Sequence, residues 1–330
     1  MDISNLRFKL FALFLITSSG AQAFADSRLL YFEAQAVGGY SSLMSKPVYY
    51  SMSQQDVMQK PSLGADLIQK LSDETGDWGT LAFQGRLAWD DNGSPSVEPQ
   101  LYNAYLRLKT PYCYTWAGHN RAAAGLESYF DTHGTLLQPL PMYGFGFDRD
   151  WGMGASRDFS WGDAALSLTT GSGMPLLLKD SYVVSSRVSK GVLNRDNYNL
   201  GAYFTGGKIP DVVGYHILDS RALAYDFLGV DFAYLWDRFE LRADLRKGEK
   251  DGSASYAALG RIGMNLLEEN RLKLEIQPVF TKTAREQANS VAGGFSYTSS
   301  PELTWRSTYE YDRSDNDHRL IFQMYYYVKT

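Results

Sequence analysis

The chain has 330 residues but contains only one cysteine, Cys113. A single thiol cannot form an internal disulfide, so an exported protein with this sequence needs another source of stability. One cysteine also excludes a metal site built from thiolates. The sequence predicts neither a metal ion nor a bound cofactor.

Long apolar runs are missing after the first 25 residues. No later segment approaches the roughly 18 apolar residues that a transmembrane helix needs. Near the start, Arg7 and Lys9 precede the apolar run Leu10–Ile16, and Ala23-Phe24-Ala25 fits a cleavage site. We therefore predict a signal peptide at 1–25 and one mature domain at 26–330. The less favoured interpretation of the first 25 residues is a membrane anchor.

Basic residues are not in excess. Removal of Arg7, Lys9 and Asp2 with the signal peptide leaves 30 basic and 36 acidic residues. This mild acidity argues against binding to nucleic acid. Aromatic residues are plentiful, with 23 tyrosines and 7 tryptophans. Such rings are expected if they form belts at the two membrane interfaces.

An alternating pattern is what the sequence does contain, and Phe239–Lys247 shows it most clearly. Apolar residues at every second position are interleaved with Glu240, Arg242, Asp244 and Arg246. Side chains two apart in a strand share a face, so one face is apolar and the other is charged. In a membrane barrel, the apolar face meets lipid and the charged face meets a wet lumen.

The same period recurs along the mature chain, and we predict sixteen strands, from Leu29–Ser42 to His318–Val328. If connectors alternate between two ends, one end carries the long connectors, after Ser42, Arg121 and Gly206. The other end carries mostly tight turns, an asymmetry typical of outer-membrane barrels. Closure of the sheet satisfies the backbone and removes its edges. We therefore predict an all-β fold, a closed antiparallel transmembrane barrel; a soluble sandwich is the alternative.

The last strand resembles the C-terminal strand of Gram-negative outer-membrane proteins. Its apolar residues alternate, although the chain ends in Val328-Lys329-Thr330 where those proteins usually end in Phe. In architecture, the whole mature chain is similar to the porin superfamily of sixteen-stranded barrels. The resemblance implies the outer membrane of a Gram-negative bacterium, contact with lipid and lipopolysaccharide, recognition by the barrel-assembly machinery, and a homotrimer.

Porins of this superfamily commonly have a long connector after strand 5 that folds into the barrel and narrows the pore. Here the irregular stretch Ala122–Phe145 follows strand 5, and its Pro139 and Pro141 forbid regular ladders. The resemblance implies that this stretch folds inward. In general porins an acidic loop of this kind faces a basic wall, and the field between them orients polar solutes.

The candidate constriction combines three wall arginines with two loop acids. Arg86, Arg107 and Arg121 lie on consecutive predicted strands and are predicted to form one basic cluster, which Glu127 and Asp131 would face. The alternative is that lumen charges keep the interior wet and pair with neighbours across strands. The other predicted lumen-facing residues are Arg242, Arg246, Glu240, Asp244, Arg261, Glu275 and Arg306.

Parity along the strands also predicts where the large aromatic side chains point. It places Trp89, Tyr102, Trp116 and Tyr309 on the lipid face. A dedicated channel for sugars would need an aromatic track inside the lumen, and the sequence gives no support for one.

The function that fits best is passive diffusion of small hydrophilic solutes or ions through a charged lumen, without enzymatic activity. One alternative is a scaffold barrel for a partner protein, with the loop as a plug. A second is a barrel hydrolase, because His133 and His216 fall in predicted outer loops near Asp131 and Asp219. No motif supplies a nucleophile beside these histidines.

Overall fold

The computed structural model describes residues 28–48, 59–74, 76–90, 96–131, 133–284 and 287–330. The predicted signal peptide lies outside these residues. The sixteen long strands of the described chain form one sheet in which neighbours are antiparallel. The first strand pairs with the last, from Tyr31 opposite Lys329 to Ser41 opposite Arg319, so the sheet is closed. The prediction of a closed sixteen-stranded barrel is confirmed.

We number the sixteen barrel strands β1 to β16. A three-residue strand, Lys46–Val48, adds a short pairing to β1. The described connectors also contain a four-residue helix, Leu193–Asp196, and three short 3₁₀ segments. The strands span Arg28–Ser41, Ser62–Asp73, Gly76–Asp90, Ser96–Lys109, Tyr114–Arg121, Arg149–Phe159, Gly162–Thr169, Tyr182–Lys190, Tyr198–Val213, His216–Trp236, Phe239–Lys250, Ser253–Leu266, Leu272–Lys282, Gln287–Ser300, Leu303–Asp312 and Asp317–Lys329.

The distribution of apolar residues is inverted relative to a soluble protein. Large apolar side chains such as Leu166, Leu228 and Phe322 are more than half exposed on the outside of the sheet. Polar side chains such as Gln35 and Gln277 are buried on the inside. This arrangement defines a transmembrane β-barrel, whose outer surface meets lipid.

No helix within the described ranges has the length and apolar character needed to cross a membrane.

The two ends of the barrel differ in their connectors. Connectors that lead from an odd to the following even strand lie at one end, which we call the outer end. The long segment 122–148, between β5 and β6, belongs to this end. The opposite, short-turn end carries tight links such as Asp237-Arg238 between β10 and β11.

The predicted long loop after Gly206 is wrong. β9 continues to Val213 and β10 begins at His216, so only Gly214 and Tyr215 form the turn. Pro210 argued for a loop because proline cannot donate to a ladder. In the structure Pro210 coincides with a register shift between Ile209 and Asp211, where the ladder is interrupted.

The predicted lipid-facing position of Tyr102 is also wrong. The pairing of β3 with β4 shifts register between Gln84 and Gly85, which leaves Tyr102 without an opposite residue. Such a bulge changes the side to which the following side chains point. Tyr102 is therefore buried, and its hydroxyl donates to Asp148 at 3.2 Å. Trp89 and Tyr309, in contrast, are exposed apolar residues, as parity predicts.

Candidate functional site

Strand β11 shows how the inner wall is built. Glu240, Asp244 and Arg246 are buried, whereas Leu241 and Leu245 between them are exposed on the outside. Successive side chains of a strand point to opposite faces, so the charged set of Phe239–Lys247 lines the inside.

Segment 122–148 reaches this wall through Arg246. The guanidinium donates to Glu127, to Asp244 Oδ2 at 2.8 Å, and to the carbonyl oxygen of Phe145 at 2.6 Å. The backbone N–H of Leu126 donates to the same Asp244 oxygen at 3.3 Å. All these charged groups are buried, and a buried charge is tolerated only when it is paired and hydrogen-bonded. The network therefore holds one part of the segment on β11.

Gly125 permits this close approach. Its φ is +60°, and a Cβ at this position would lie 2.5 Å from Arg246 Nη2 and 2.6 Å from Asp244 Oδ2. A Cβ at this position would force these charged side-chain ends to shift, and the positive φ also favours glycine.

A second contact lies on the far side of the lumen. His133 Nε2 is 2.6 Å from Glu33 Oε2 on β1, and both side chains are almost fully buried. Gln59 Nε2 donates to the carbonyl oxygen of Thr135 at 2.8 Å. By the shorter way round the sheet, β1 and β11 are six strands apart. The segment thus contacts widely separated strands of the wall.

Strands β12 and β13 provide further contacts through side-chain donors. Arg261 Nη2 donates to the carbonyl oxygen of Leu137, and Gln277 Nε2 donates to that of Gln138, each at 2.9 Å. Backbone acceptors that would otherwise be left unpaired are satisfied in this way. An apolar cluster accompanies these bonds and includes Leu126, Leu140, Phe145, Tyr225, Phe227 and Leu259.

Asp131 lies between two arginines of neighbouring strands. Its Oδ1 is 3.0 Å from Arg121 Nη2 and 3.1 Å from Arg149 Nη2. Partial desolvation by itself raises the pKa of the Asp131 carboxyl, but the two guanidinium groups outweigh it and lower the pKa to about 2. The Asp131 side chain is 61% exposed, so solvent screens part of this attraction.

The structure brings together only part of the predicted constriction. Arg121 and Asp131 form an ion pair, whereas Glu127 pairs with Arg246. Arg86 donates to Gln100 Oε1 at 2.8 Å. Arg107 is exposed near the short-turn end, where it lies 4.3 Å from the ring centroid of Tyr114.

The prediction of one cluster formed by Arg86, Arg107 and Arg121 is wrong, because β4 and β5 are antiparallel. Arg107 lies opposite Trp116, five residues from Arg121 along β5. At about 3.3 Å per residue, this separates the two arginines by roughly 16 Å along the barrel.

The remaining predicted lumen residues pair with polar neighbours both along one strand and between strands. Arg242 pairs with Glu240, and Lys273 lies 2.8 Å from Glu240 and 3.0 Å from Glu275. Arg306 donates to Gln323 at 2.9 Å. For these residues the geometry agrees with local charge pairing in a wet interior, partly across strands and partly along one strand.

Several residues of this region were missed by the sequence reasoning. Arg149 is buried, pairs with Asp148 and lies 3.7 Å from the ring centroid of Tyr102. Glu33, also missed, is the partner of His133. Alternation in β1 is regular and predicts that Glu33 faces the lumen. Alternation at the start of β6 is weaker, but it predicts the same for Arg149. Nothing local marks the bulge that turns Tyr102 inward.

The histidines of the described residues lack the partner that a serine- or cysteine-type nucleophilic site needs. No histidine ring there is hydrogen-bonded to a serine, threonine or cysteine side chain. His133 contacts Glu33, and His216 lies 3.4 Å from Glu98. Nor do the described ranges contain a group of three or more His, Cys, Asp or Glu residues that could hold a metal ion.

Comparison with known proteins gives the fold. No family model matches the chain, and no curated protein sequence does. Among solved structures, OmpF of Salmonella typhi in complex with daunomycin has a TM-score of 0.66 at 12% identity, over 91% of this chain and 97% of that one. OmpT of Vibrio cholerae, in a form lacking loop L8, has a TM-score of 0.65 at 12% identity, over 92% and 99%. An anion-selective porin from Comamonas acidovorans has a TM-score of 0.63 at 10% identity, also over 92% and 99%.

The TM-scores show a shared fold, and at identities of 10–12% the fold is all that these comparisons show. The chain is a closed sixteen-stranded β-barrel with the architecture of an outer-membrane porin.

Proposed function

We propose that this chain is an outer-membrane porin through which small hydrophilic solutes or ions diffuse passively. The observation that carries the proposal is the set of contacts made by segment 122–148. In a closed barrel with a polar interior, the segment bonds to inward-facing side chains of β1, β11, β12 and β13. A segment held in this way narrows the lumen and sets the size of the solutes that pass.

Charges of both signs at the segment support selection of polar solutes. Asp131 is the exposed carboxylate of the segment, and Arg121 and Arg149 flank it on the wall. Opposed charges in a narrow passage create a transverse field that favours polar solutes over apolar ones. We propose Arg121 and Asp131 as the pair that contributes most to this field. Arg86 and Glu127 support it from the wall and the segment.

We extend the proposal to the export of this chain and its assembly in the outer membrane. A signal peptide at 1–25 would direct the chain across the inner membrane of a Gram-negative bacterium, and the barrel-assembly machinery would insert it. Lipid and lipopolysaccharide would then cover the apolar outer face. A homotrimer is supported by analogy, since one OmpT structure of Vibrio cholerae is described as a trimer form.

A scaffold barrel is the second candidate, and the same segment favours it. The Arg246–Glu127 contact and the His133–Glu33 contact lie on strands six apart, so the segment extends over much of the lumen. A segment that fills the lumen would act as a plug. A hydrolase has less support, because no ring of the described histidines is hydrogen-bonded to a serine, threonine or cysteine side chain.

Single-channel recording separates the two candidates. Refolded protein comprising residues 26–330 is inserted into a planar bilayer, beside an Arg246→Ala variant in which the main contact of the segment is lost. A porin gives stepwise, ohmic conductance in the unaltered protein. If the unaltered barrel is folded and silent while Arg246→Ala conducts, the segment is a plug and the porin proposal is rejected.

A further inference from the structure

The hairpin formed by β9 and β10 extends beyond its neighbours at the outer end. β8 pairs with β9 only as far as Lys208, and β11 pairs with β10 only as far as Tyr225. Among the described residues no further strand pairs with 209–223 on either side, so these residues form a two-stranded arm. We call these residues the arm.

The ladder of the arm is irregular near its base. The register between β9 and β10 shifts twice, between Ile209 and Asp211 and again between Asp211 and Val212. Pro210 lies within the first shift and lacks an N–H donor. Bulges bend and twist a strand locally, so this is the point at which the arm can leave the direction of the wall.

The tip of the arm contacts a distant strand. The Tyr215 hydroxyl donates to the carbonyl oxygen of Leu101 on β4 at 3.1 Å. Its neighbour His216 has Nε2 at 3.4 Å from Glu98 Oε1, also on β4. Along the sheet, β4 is five strands from β9. With adjacent strands about 4.8 Å apart, a contact over that distance requires the arm to cross the opening instead of following the wall.

The floor beneath the tip consists of apolar side chains from three elements. Tyr215 packs against a cluster of Tyr102 on β4, Met142 on segment 122–148 and Met174 on the β7–β8 connector. Tyr102, Met142 and Met174 are each less than 10% exposed. The tip thus closes over the upper side of the segment that is proposed to narrow the lumen.

We infer that the arm is a second size filter at the outer mouth, in series with segment 122–148, and that Tyr215 holds it in place. The inference concerns what can enter from the outer side, and its role in solute passage rests on the proposed porin function. Tyr215 acts as a positioning residue, through one hydrogen bond to a main-chain oxygen and its ring contacts. The part of the outer opening that the arm leaves uncovered limits the size of the solutes that enter.

The test labels a thiol beneath the arm and does not depend on conductance. Met142→Cys is made in a Cys113→Ser background, so that it is the only thiol of the chain. A small maleimide and a maleimide carried on a long polyethylene glycol are added outside intact cells. Tyr215→Ala is compared with Leu218→Ala, which removes a large side chain that is 64% exposed on the same arm.

Removal of the Tyr215 ring also uncovers residue 142 locally, so each rate of the polymer-linked maleimide is expressed relative to the small-maleimide rate of the same variant. The polymer-linked maleimide should react at least about tenfold faster in Tyr215→Ala, because the arm no longer excludes it, and should be unchanged in Leu218→Ala. Equal rates of the polymer reagent in Tyr215→Ala and the unaltered arm would overturn the inference. If Tyr215→Ala does not fold, Tyr215→Phe removes only the bond to Leu101 and should give a smaller increase of the same sign.

The labelling result and the conductance result test the filter and the porin proposal separately. A labelling difference in a barrel that never conducts would support the filter and reject the porin. Conductance without a labelling difference would reject the filter and retain the porin.

Discussion

Segment 122–148 and the arm at 209–223 both leave the wall at the outer end, but different interactions hold them. The segment is bonded to the buried charges Arg246 and Glu33. The tip of the arm is held by one neutral hydrogen bond from Tyr215, by contacts of its ring and by the approach of His216 to Glu98, while the strand residues His216–Arg221 are exposed. Bonds to charged groups contribute about 1.5–3 kcal/mol each, and neutral ones about 1 kcal/mol. The comparison indicates a firmly held segment beneath an arm that opens more readily.

The largest effect is expected for Arg246→Ala. This change leaves the carboxylates of Glu127 and Asp244 buried without their cation, which costs about 3–5 kcal/mol. We expect the free energy of unfolding, measured in urea with lipid vesicles, to fall by that amount and the conductance to rise. The control is Arg195→Ala, which removes a solvent-exposed pair with Asp196 and should lower the free energy of unfolding far less. Similar losses in both variants would show that the Arg246 network does not hold the segment.

Gly125→Ala tests the close approach that this network needs. Gly252 is a matched control, because its φ of +69° resembles that of Gly125 but a Cβ there would meet no atom within 4 Å. Both substitutions share the cost of the backbone conformation, so we expect Gly125→Ala to be more destabilising by about 2 kcal/mol. Equal unfolding free energies would mean that the segment shifts to accept the side chain at little cost.

Tyr215→Phe tests how strongly the Tyr215 hydroxyl holds the arm. Loss of one hydrogen bond to a main-chain oxygen should lower the free energy of unfolding by about 1 kcal/mol or less. Hydrogen exchange of the amides in 209–223 should nevertheless accelerate, since the arm opens without unfolding of the barrel. Exchange within 122–148 should stay unchanged. Acceleration in both regions to the same degree would show that the two are coupled and not separately held.

Arg121→Ala and Arg107→Ala show which height of the lumen sets ion selectivity, the level of segment 122–148 or the region near the short-turn end. Arg121 pairs with the segment, whereas Arg107 is exposed towards the short-turn end. Removal of a cation should shift the reversal potential in a salt gradient towards cation preference, with the larger shift for Arg121→Ala. A larger shift for Arg107→Ala would place the selective level near the short-turn end instead.

The smallest effect concerns pH and Asp131. Its pKa of about 2 keeps the carboxylate charged above that value, so the interaction with Arg121 and Arg149 persists at neutral and mildly acidic pH. The interaction is lost as the pH falls through about 2. The difference in reversal potential between the unaltered protein and Asp131→Asn should therefore be constant from about pH 7 to pH 4. A difference that vanishes near pH 4 would mean that the two arginines do not lower this pKa.

Much of the barrel could be predicted because its signal is local. Alternation between apolar and polar residues depends only on positions two apart, so Phe239–Lys247 reveals by itself which side chains meet lipid and which face the lumen. The prediction failed where the backbone departs from the regular period. A bulge turns Tyr102 inward, and a register shift admits Pro210 into a strand that otherwise continues.

The strand number, the inward-facing charges and the place of the irregular segment in the chain follow from local patterns of residues. Which charges meet depends on how the sheet closes. Glu127 and Arg246 are 119 residues apart, His133 and Glu33 are 100 residues apart, and the hydroxyl of Tyr215 reaches Leu101 over 114 residues. Closure of the sheet sets these distances, because it fixes which strands lie across the lumen from one another. No period along the chain carries that information.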